Sequence, residues 1–168
     1  LSIHDPARVA ADVAALDQLS AGRVILGVGR GFEPAMFKAF GIDPKSKRDR
    51  FDEALDAILA AWASDATAEG DRLRPFQSPH PPIWVAAFGP KGLAQAARRG
   101  APYLASPIES FEAIRENFRA HAAQLPAGVD ARSLAVPVMR TVHVAKDAAE
   151  ARRMREAPGG LAGDRWRV

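Results

Sequence analysis

Residues 23–32, Arg-Val-Ile-Leu-Gly-Val-Gly-Arg-Gly-Phe, run a short apolar stretch into three glycines spaced by two, with Arg30 wedged between the last pair. Val24 to Val28 is too short for an ordinary helix, and its continuous apolar character fits a strand buried on both faces of a parallel sheet. Before it, Asp5-Pro6 supplies a capping carboxylate and a proline at the first helical position. Val9, Val13, Leu16 and Leu19 then recur at helical spacing until Gly22, a natural stop. One amphipathic helix therefore feeds the strand.

The same alternation continues downstream. Phe51, Leu55, Ile58, Leu59 and Trp62 mark a second helix, reached through a charged loop from Phe32 to Arg50. Long loops in compact domains are often functional. This one is the candidate substrate-side surface, with Phe37 and Phe40 as apolar contacts to a substrate or, on an equal footing, as core packing. A proline-rich approach, Pro75 to Pro82, precedes a second buried strand, Ile83 to Ala87, and Phe88-Gly89-Pro90-Lys91-Gly92 turns the chain into a helix that Gly100 ends. Tyr103-Leu104-Ala105 reads as a third strand, and Phe111, Ile114, Phe118 and Leu125 as the next helix, with His121 on its surface. Val136, Val138, Val142 and Val144 predict a β-branched strand, and Asp147 with Glu150 a capping box for a last helix. Strand–helix units repeated about four times give an α/β fold with a parallel sheet. A domain over residues 1–157 is expected, followed by a loosely ordered tail, 158–168, rich in glycine and arginine.

Bulk properties narrow the function. The 168 residues carry 23 basic and 20 acidic side chains, interleaved rather than blocked, so a nucleic-acid partner is not indicated. An anionic small molecule suits the slight positive excess. No cysteine occurs, which removes disulfides, thiolate metal sites and cysteine nucleophiles together. No apolar run reaches membrane-spanning length, and a cytoplasmic location is expected. The chain begins with Leu1, which reads as a processing product or a cut inside a longer gene.

The glycines do not form a dinucleotide fingerprint. Counted from Gly27 the sixth position is Phe32, and counted from Gly29 it is Pro34. A Walker loop fails as well, because no Gly-Lys-Ser/Thr follows. There remains a strand end of small residues carrying one arginine, at the end of the strand where parallel α/β folds place their ligands. Gly29, Arg30 and Gly31 are therefore candidate contacts for a phosphate, which arginine binds bidentately. The competing reading has Arg30 in a salt bridge with Glu33 or Asp17. At the second strand end, Gly89, Lys91 and Gly92 bring backbone N–H groups to a helix start. The cost of Lys91 opposing the helix macrodipole is offset by a nearby anion or, in the competing reading, kept small because Lys91 points to solvent. No pair of histidines has metal-ligand spacing, no Gly-x-Ser-x-Gly elbow occurs, and the catalytic residues stay unassigned. Binding features without acid–base machinery favour a cofactor that does the chemistry.

Three segments carry a family resemblance. HDPARVAADVAALDQLSAGRVILGVGRGF (4–32), PHPPIWVAAFGPKGLAQAARRGAP (79–102) and VPVMRTVHVAKDAAEA (136–151) together resemble the bacterial luciferase-like flavin-dependent monooxygenases, over most of the chain to about Ala157. The resemblance implies a TIM-type (β/α) barrel, of which this chain holds about four strand–helix units of eight. It implies that Arg30 holds the flavin phosphate, with backbone amides of the turn at Gly89, Lys91 and Gly92. It further implies FMN as cofactor, reduced by a partner flavin reductase, and oxygen-dependent oxidation of a small organic substrate. A sister group uses a deazaflavin for hydride transfer instead. Where the family's turn often has serines or a glutamate, this chain has Phe88 and Gly89, so Lys91 replaces those side-chain contacts. His4 is separated from Pro6 by Asp5, unlike the family's His-Pro, and is the nearest match to an active-site histidine. A complete barrel takes about 250 residues. The chain therefore reads as a fragment of a larger enzyme, as a member that closes as a homodimer, or as a non-catalytic flavin-binding or structural remnant.

Overall fold

The computed structural model describes residues 1–63, 74–87, 89–140 and 142–156. They divide into two compact units, Leu1–Ala86 and the chain from Ala87 onward. The tail expected over 158–168 lies outside the described residues.

The first unit runs α1 (Pro6–Leu19), β1 (Leu26–Gly29), α2 (Pro34–Ala39), a 3-10 turn (Pro44–Ser46), α3 (Lys47–Ala63) and β2 (Ile83–Ala86). Strands β1 and β2 are parallel, in register from Leu26 opposite Ile83 to Gly29 opposite Ala86. Helix α1 starts as its sequence dictates: the Asp5 carboxylate accepts from Arg8 N–H at 2.8 Å and Pro6 holds the first helical position. Val13, Ala14, Val28, Phe51, Leu55, Ile58 and Val85 make the core, and Trp62 enters it with its indole N–H donating to Ala10 O at 3.1 Å. Burial of these side chains, at about 1.5–3 kcal/mol each, is what holds α1 against α3.

Two expectations are corrected in this unit. Strand β1 is not buried on both faces: Val28 is inside, Gly27 is exposed, and Ile25 just before the strand is 48% exposed. Val28 and its partner Val85 point into the core, while Gly27 and Gly29 lie on the other face. The supposed loop from Phe32 to Arg50 is mostly helical. Glu33-Pro34 and Asp43-Pro44 repeat the acid–proline start of α1, and each carboxylate accepts an N–H two residues on, from Ala35 and from Lys45. Phe37 is 1% exposed and belongs to the core, whereas Phe40 stays 59% exposed.

The second unit contains α4 (Pro90–Ala97), β3 (Tyr103–Leu104), α5 (Phe111–Ala122), a 3-10 turn (Ala131–Ser133) and α6 (Ala148–Glu156). Its core gathers Leu93, Ala96, Ala97, Tyr103, Ala105 and Ile114. Just past β3, Ala105 pairs in parallel with Val138: Ala105 N–H donates to Pro137 O at 3.0 Å, and Met139 N–H to Ala105 O at 3.3 Å. The valine pattern of 136–144 predicts a full strand, yet among the described residues only this bridge forms, and Val142 and Val144 are 78% and 89% exposed. β-branched residues favour a strand through the surface they pack on, and these valines have none among the described residues. His121 is also corrected. It is 1% exposed, with Nε2 against Ala101 O at 2.9 Å, because α5 turns that position onto the segment leading into β3. The capping box before α6 is present, with Glu150 N–H donating to Asp147 Oδ1 and Lys146 N–H to Glu150 Oε2.

Candidate functional site

The run Leu16-Asp17-Gln18-Leu19-Ser20-Ala21-Gly22-Arg23 proves to be a structural knot. Asp17 is fully buried and accepts from Gln77 N–H and Gln77 Nε2, both at 2.8 Å. Gln77 Nε2 also reaches Val24 O, and Gln18 Nε2 donates to Arg74 O, so the approach to β2 is stitched to the end of α1. Gly22 has φ of +78°, and an added Cβ would stand 2.8 Å from the Phe76 ring. Burial pushes the Asp17 carboxyl up, but hydrogen bonds from Gln77, Val24 and Phe76 outweigh it and hold the group below its ordinary value. This knot sits at the entry to β1; the candidate ligand residues sit at its exit.

Arg30 leaves the end of β1 half-buried, and among the described residues its guanidinium makes no hydrogen bond and no ion pair. Both carboxylates considered as partners are engaged elsewhere, Asp17 with Gln77 and Glu33 at the start of α2. The residues flanking Arg30 are tied to the start of α3. Leu1 N donates to Gly29 O at 2.6 Å, and the next residue, Ser2, donates its hydroxyl to Lys47 O at 2.7 Å. On the other flank, a Gly31 Cβ would stand 3.2 Å from the Phe37 ring, over which Lys47 Nζ lies 5.9 Å from the centroid. Arg48 follows Lys47 and is felt at Arg30: burial first, then the Arg48 charge, lower the Arg30 pKa, and Asp52 counters them. Two cations thus approach each other, one of them, Arg30, partly desolvated and without a hydrogen-bond acceptor among the described residues. Such an arrangement is relieved by an anion.

The glycines flanking Arg30 have packing reasons of their own. A Cβ on Gly29 would lie 3.3 Å from Ala86 Cβ, and Gly31 has φ of +78° with an added Cβ 2.9 Å from Met36. Arg48 was not among the sequence-derived candidates. The signal was the basic run Lys45-Ser46-Lys47-Arg48-Asp49-Arg50, whose cations oppose the dipole at the start of α3.

In the second unit, Gly89 caps α4 with φ of 71°, and no side chain caps the helix. Gly92 N–H is turned onto Gly89 O at 3.0 Å, and Pro90 has no N–H, while the Lys91 N–H makes no hydrogen bond among the described residues. The Lys91 side chain is exposed. His4 and His143 are exposed, while His80 Nδ1 lies 2.8 Å from Pro81 O with its ring 6.0 Å from Trp62. His4 lines a shallow groove of about 340 Å³ with Asp12, Val13 and residues 26–29 of β1. No cluster of metal-ligating side chains and no helix long and apolar enough to cross a membrane occurs among the described residues.

The profile of the luciferase-like monooxygenases matches residues 1–162. The chain belongs to that family. Among luciferase-like relatives it is 28% identical, over 69% of its length and 35% of the other's, to the oxygenase component of the flavin-dependent trigonelline monooxygenase of Acinetobacter baylyi. It is 32% identical to the 5,10-methylenetetrahydromethanopterin reductase of Methanolobus tindarius, over 89% of this chain and 48% of that one. The fold matches the oxygenating constituent of 3,6-diketocamphane monooxygenase of Pseudomonas putida, solved with FMN, at a TM-score of 0.72 and 22% identity, covering 92% of this chain and 50% of that one. This luciferase-like chain is therefore an α/β structure corresponding to part of a TIM-type barrel, and it spans less than half the length of the curated relatives it matches.

Proposed function

We propose that this chain supplies the phosphate-binding side of a flavin-dependent monooxygenase that uses reduced FMN and oxygen on a small organic substrate, with a flavin reductase as partner. The observation that carries the reading is Arg30, half-buried at the end of β1, without a hydrogen bond among the described residues and facing the charge of Arg48. A phosphate monoester gives the Arg30 guanidinium an acceptor, which arginine binds through paired N–H donors, and its negative charge offsets that of Arg48. Gly29 and Gly31 keep the backbone around Arg30 close to its neighbours. The turn at Gly89, Lys91 and Gly92 is assigned to the same cofactor from the family resemblance, with the Lys91 amide as its donor.

Reduced flavin supplies the electrons and, with oxygen, the oxidising chemistry. The chain's own residues bind and orient: Arg30 and Arg48 fix the phosphate end, and Asp52 tempers their mutual repulsion. Oxygen uptake with reduced FMN and a reductase, dependent on an added organic substrate, is the expected activity. Oxygen uptake that no organic substrate stimulates would contradict it.

The reductase relative, 32% identical over 89% of the chain, favours a second reading: hydride transfer with a deazaflavin coenzyme, without oxygen. Both readings place a phosphate on Arg30. Substrate-dependent turnover under anaerobic conditions with reduced deazaflavin, and none with reduced FMN and air, would select the second.

A further inference from the structure

The second unit builds a polar cluster where two parallel segments end together. Pairing of Ala105 with Val138 brings Ser106 and Arg140 out side by side. Ligands in parallel α/β folds collect at such carboxyl ends. The loop after Ser106 is braced from below: Glu109, 8% exposed, accepts from Ser106 N–H and from Asn117 Nδ2. Arg140 is braced from the side. Its Nη1 faces three carbonyls, Ser106 O at 3.2 Å, Pro107 O at 3.5 Å and Met139 O at 3.2 Å, and its guanidinium carbon lies 4.7 Å from the Phe111 ring centroid. These contacts use one nitrogen and one face of the guanidinium. Among the described residues, Nε and Nη2 make no hydrogen bond, and no carboxylate lies within ion-pair distance. Nε and Nη2 form the side-on edge that matches a two-oxygen anion. Beside it, Ile108 and Phe111 are 39% and 68% exposed and offer apolar surface to a carbon skeleton.

We propose that Arg140 selects the substrate, gripping an oxyanion on an organic molecule, a carboxylate or a sulfonate, through its Nε–Nη2 edge while the carbon body rests on Ile108 and Phe111. A solvated surface arginine would lose much side-chain entropy on gripping a ligand. Arg140 is already fixed by carbonyls and an aromatic face, so that loss is largely incurred on folding. The inference rests on the proposed oxidoreductase reading for its substrate, but the binding it predicts concerns other residues than Arg30 and needs no flavin.

Titration of the ¹⁵N-labelled protein, without flavin, tests it with benzoate, its neutral isostere benzamide, and inorganic phosphate. The Arg140 Nε–H resonance, identified by its loss in Arg140→Lys, is expected to shift saturably with benzoate, which binds about ten-fold or more tightly than benzamide. Arg140→Lys, which keeps the charge and loses the fork, is expected to weaken benzoate about ten-fold, and Arg140→Gln more. Equal binding of benzoate and benzamide, or no shift at Nε–H, overturns the proposal, and that contrast stands on the wild-type protein even if a variant misfolds. Inorganic phosphate binding as tightly as benzoate overturns the assignment to an organic substrate. None of these outcomes bears on flavin binding at Arg30, so the two readings fail separately.

Discussion

Single residues in this chain separate folding from ligand chemistry. Asp17, part of the first segment that resembles the family, is a folding residue: its carboxylate receives the amides that close the loop onto α1. Its pKa lies below the ordinary 3.8, so the folded form binds the proton less well than the unfolded one. The stabilisation is complete above that ordinary value and is lost as pH falls through the depressed one. Asp17→Asn is expected to melt below the wild type at neutral pH, with the two converging in acid; a gap that stays constant in melts across the acid range would contradict this. Gly22→Ala is expected to cost about 1–2 kcal/mol in denaturant unfolding, since alanine strains at positive φ and its methyl meets Phe76. Tyr103 is the only tyrosine in the sequence, and burial, then the Glu109 charge, push it up to about 12. Spectrophotometric titration is expected to show phenol ionisation near that value in the folded protein and near about 10 when unfolded. Because the folded form holds the proton more tightly, stability contributed by the neutral phenol is full below the unfolded value and declines as pH rises toward the folded one.

Elements follow from short-range signals where the sequence states both a start and a packing face. Helix α1 was legible because its cap and apolar spacing agree, and α3 from its apolar spacing alone. Helix α2 was hidden inside an apparent loop because it has only six residues, although Glu33-Pro34 carried the same start signal as Asp5-Pro6. The strand expected over 136–144 fails for a different reason. Alternating valines report a strand only when a partner face exists, and this segment pairs solely at Val138 among the described residues. Val142→Thr and Val144→Thr are therefore expected to change unfolding free energy by less than about 0.5 kcal/mol. By contrast, Ser110→Ala removes the side chain that accepts from Ala113 N–H at the start of α5, and is expected to cost about 1 kcal/mol in the same measurement.

At the scale of the molecule, the α/β class and the luciferase-like membership were both readable from residues 4–32 and 79–102. Arg30 was readable as a candidate because the end of a parallel strand is where such folds put ligands. Arg48 was not: it lies 18 positions on, and it is links through Ser2, Lys47 and Phe37 that bring the start of α3 back to β1. Long-range proximity of this kind leaves no periodic trace in a sequence. Arg140 escaped for the same reason, since its worth as a site depends on which of its nitrogens the folded chain already uses.

The central claim is that Arg30 and Arg48 hold a flavin phosphate, and fluorescence titration of the protein with FMN, with riboflavin as the phosphate-free control, tests it most directly. FMN is expected to bind at least about ten-fold more tightly than riboflavin, with that preference largely lost in Arg30→Ala and reduced in Arg48→Ala. Equal affinity for the two flavins in the wild type, or an FMN preference that survives Arg30→Ala, would contradict it.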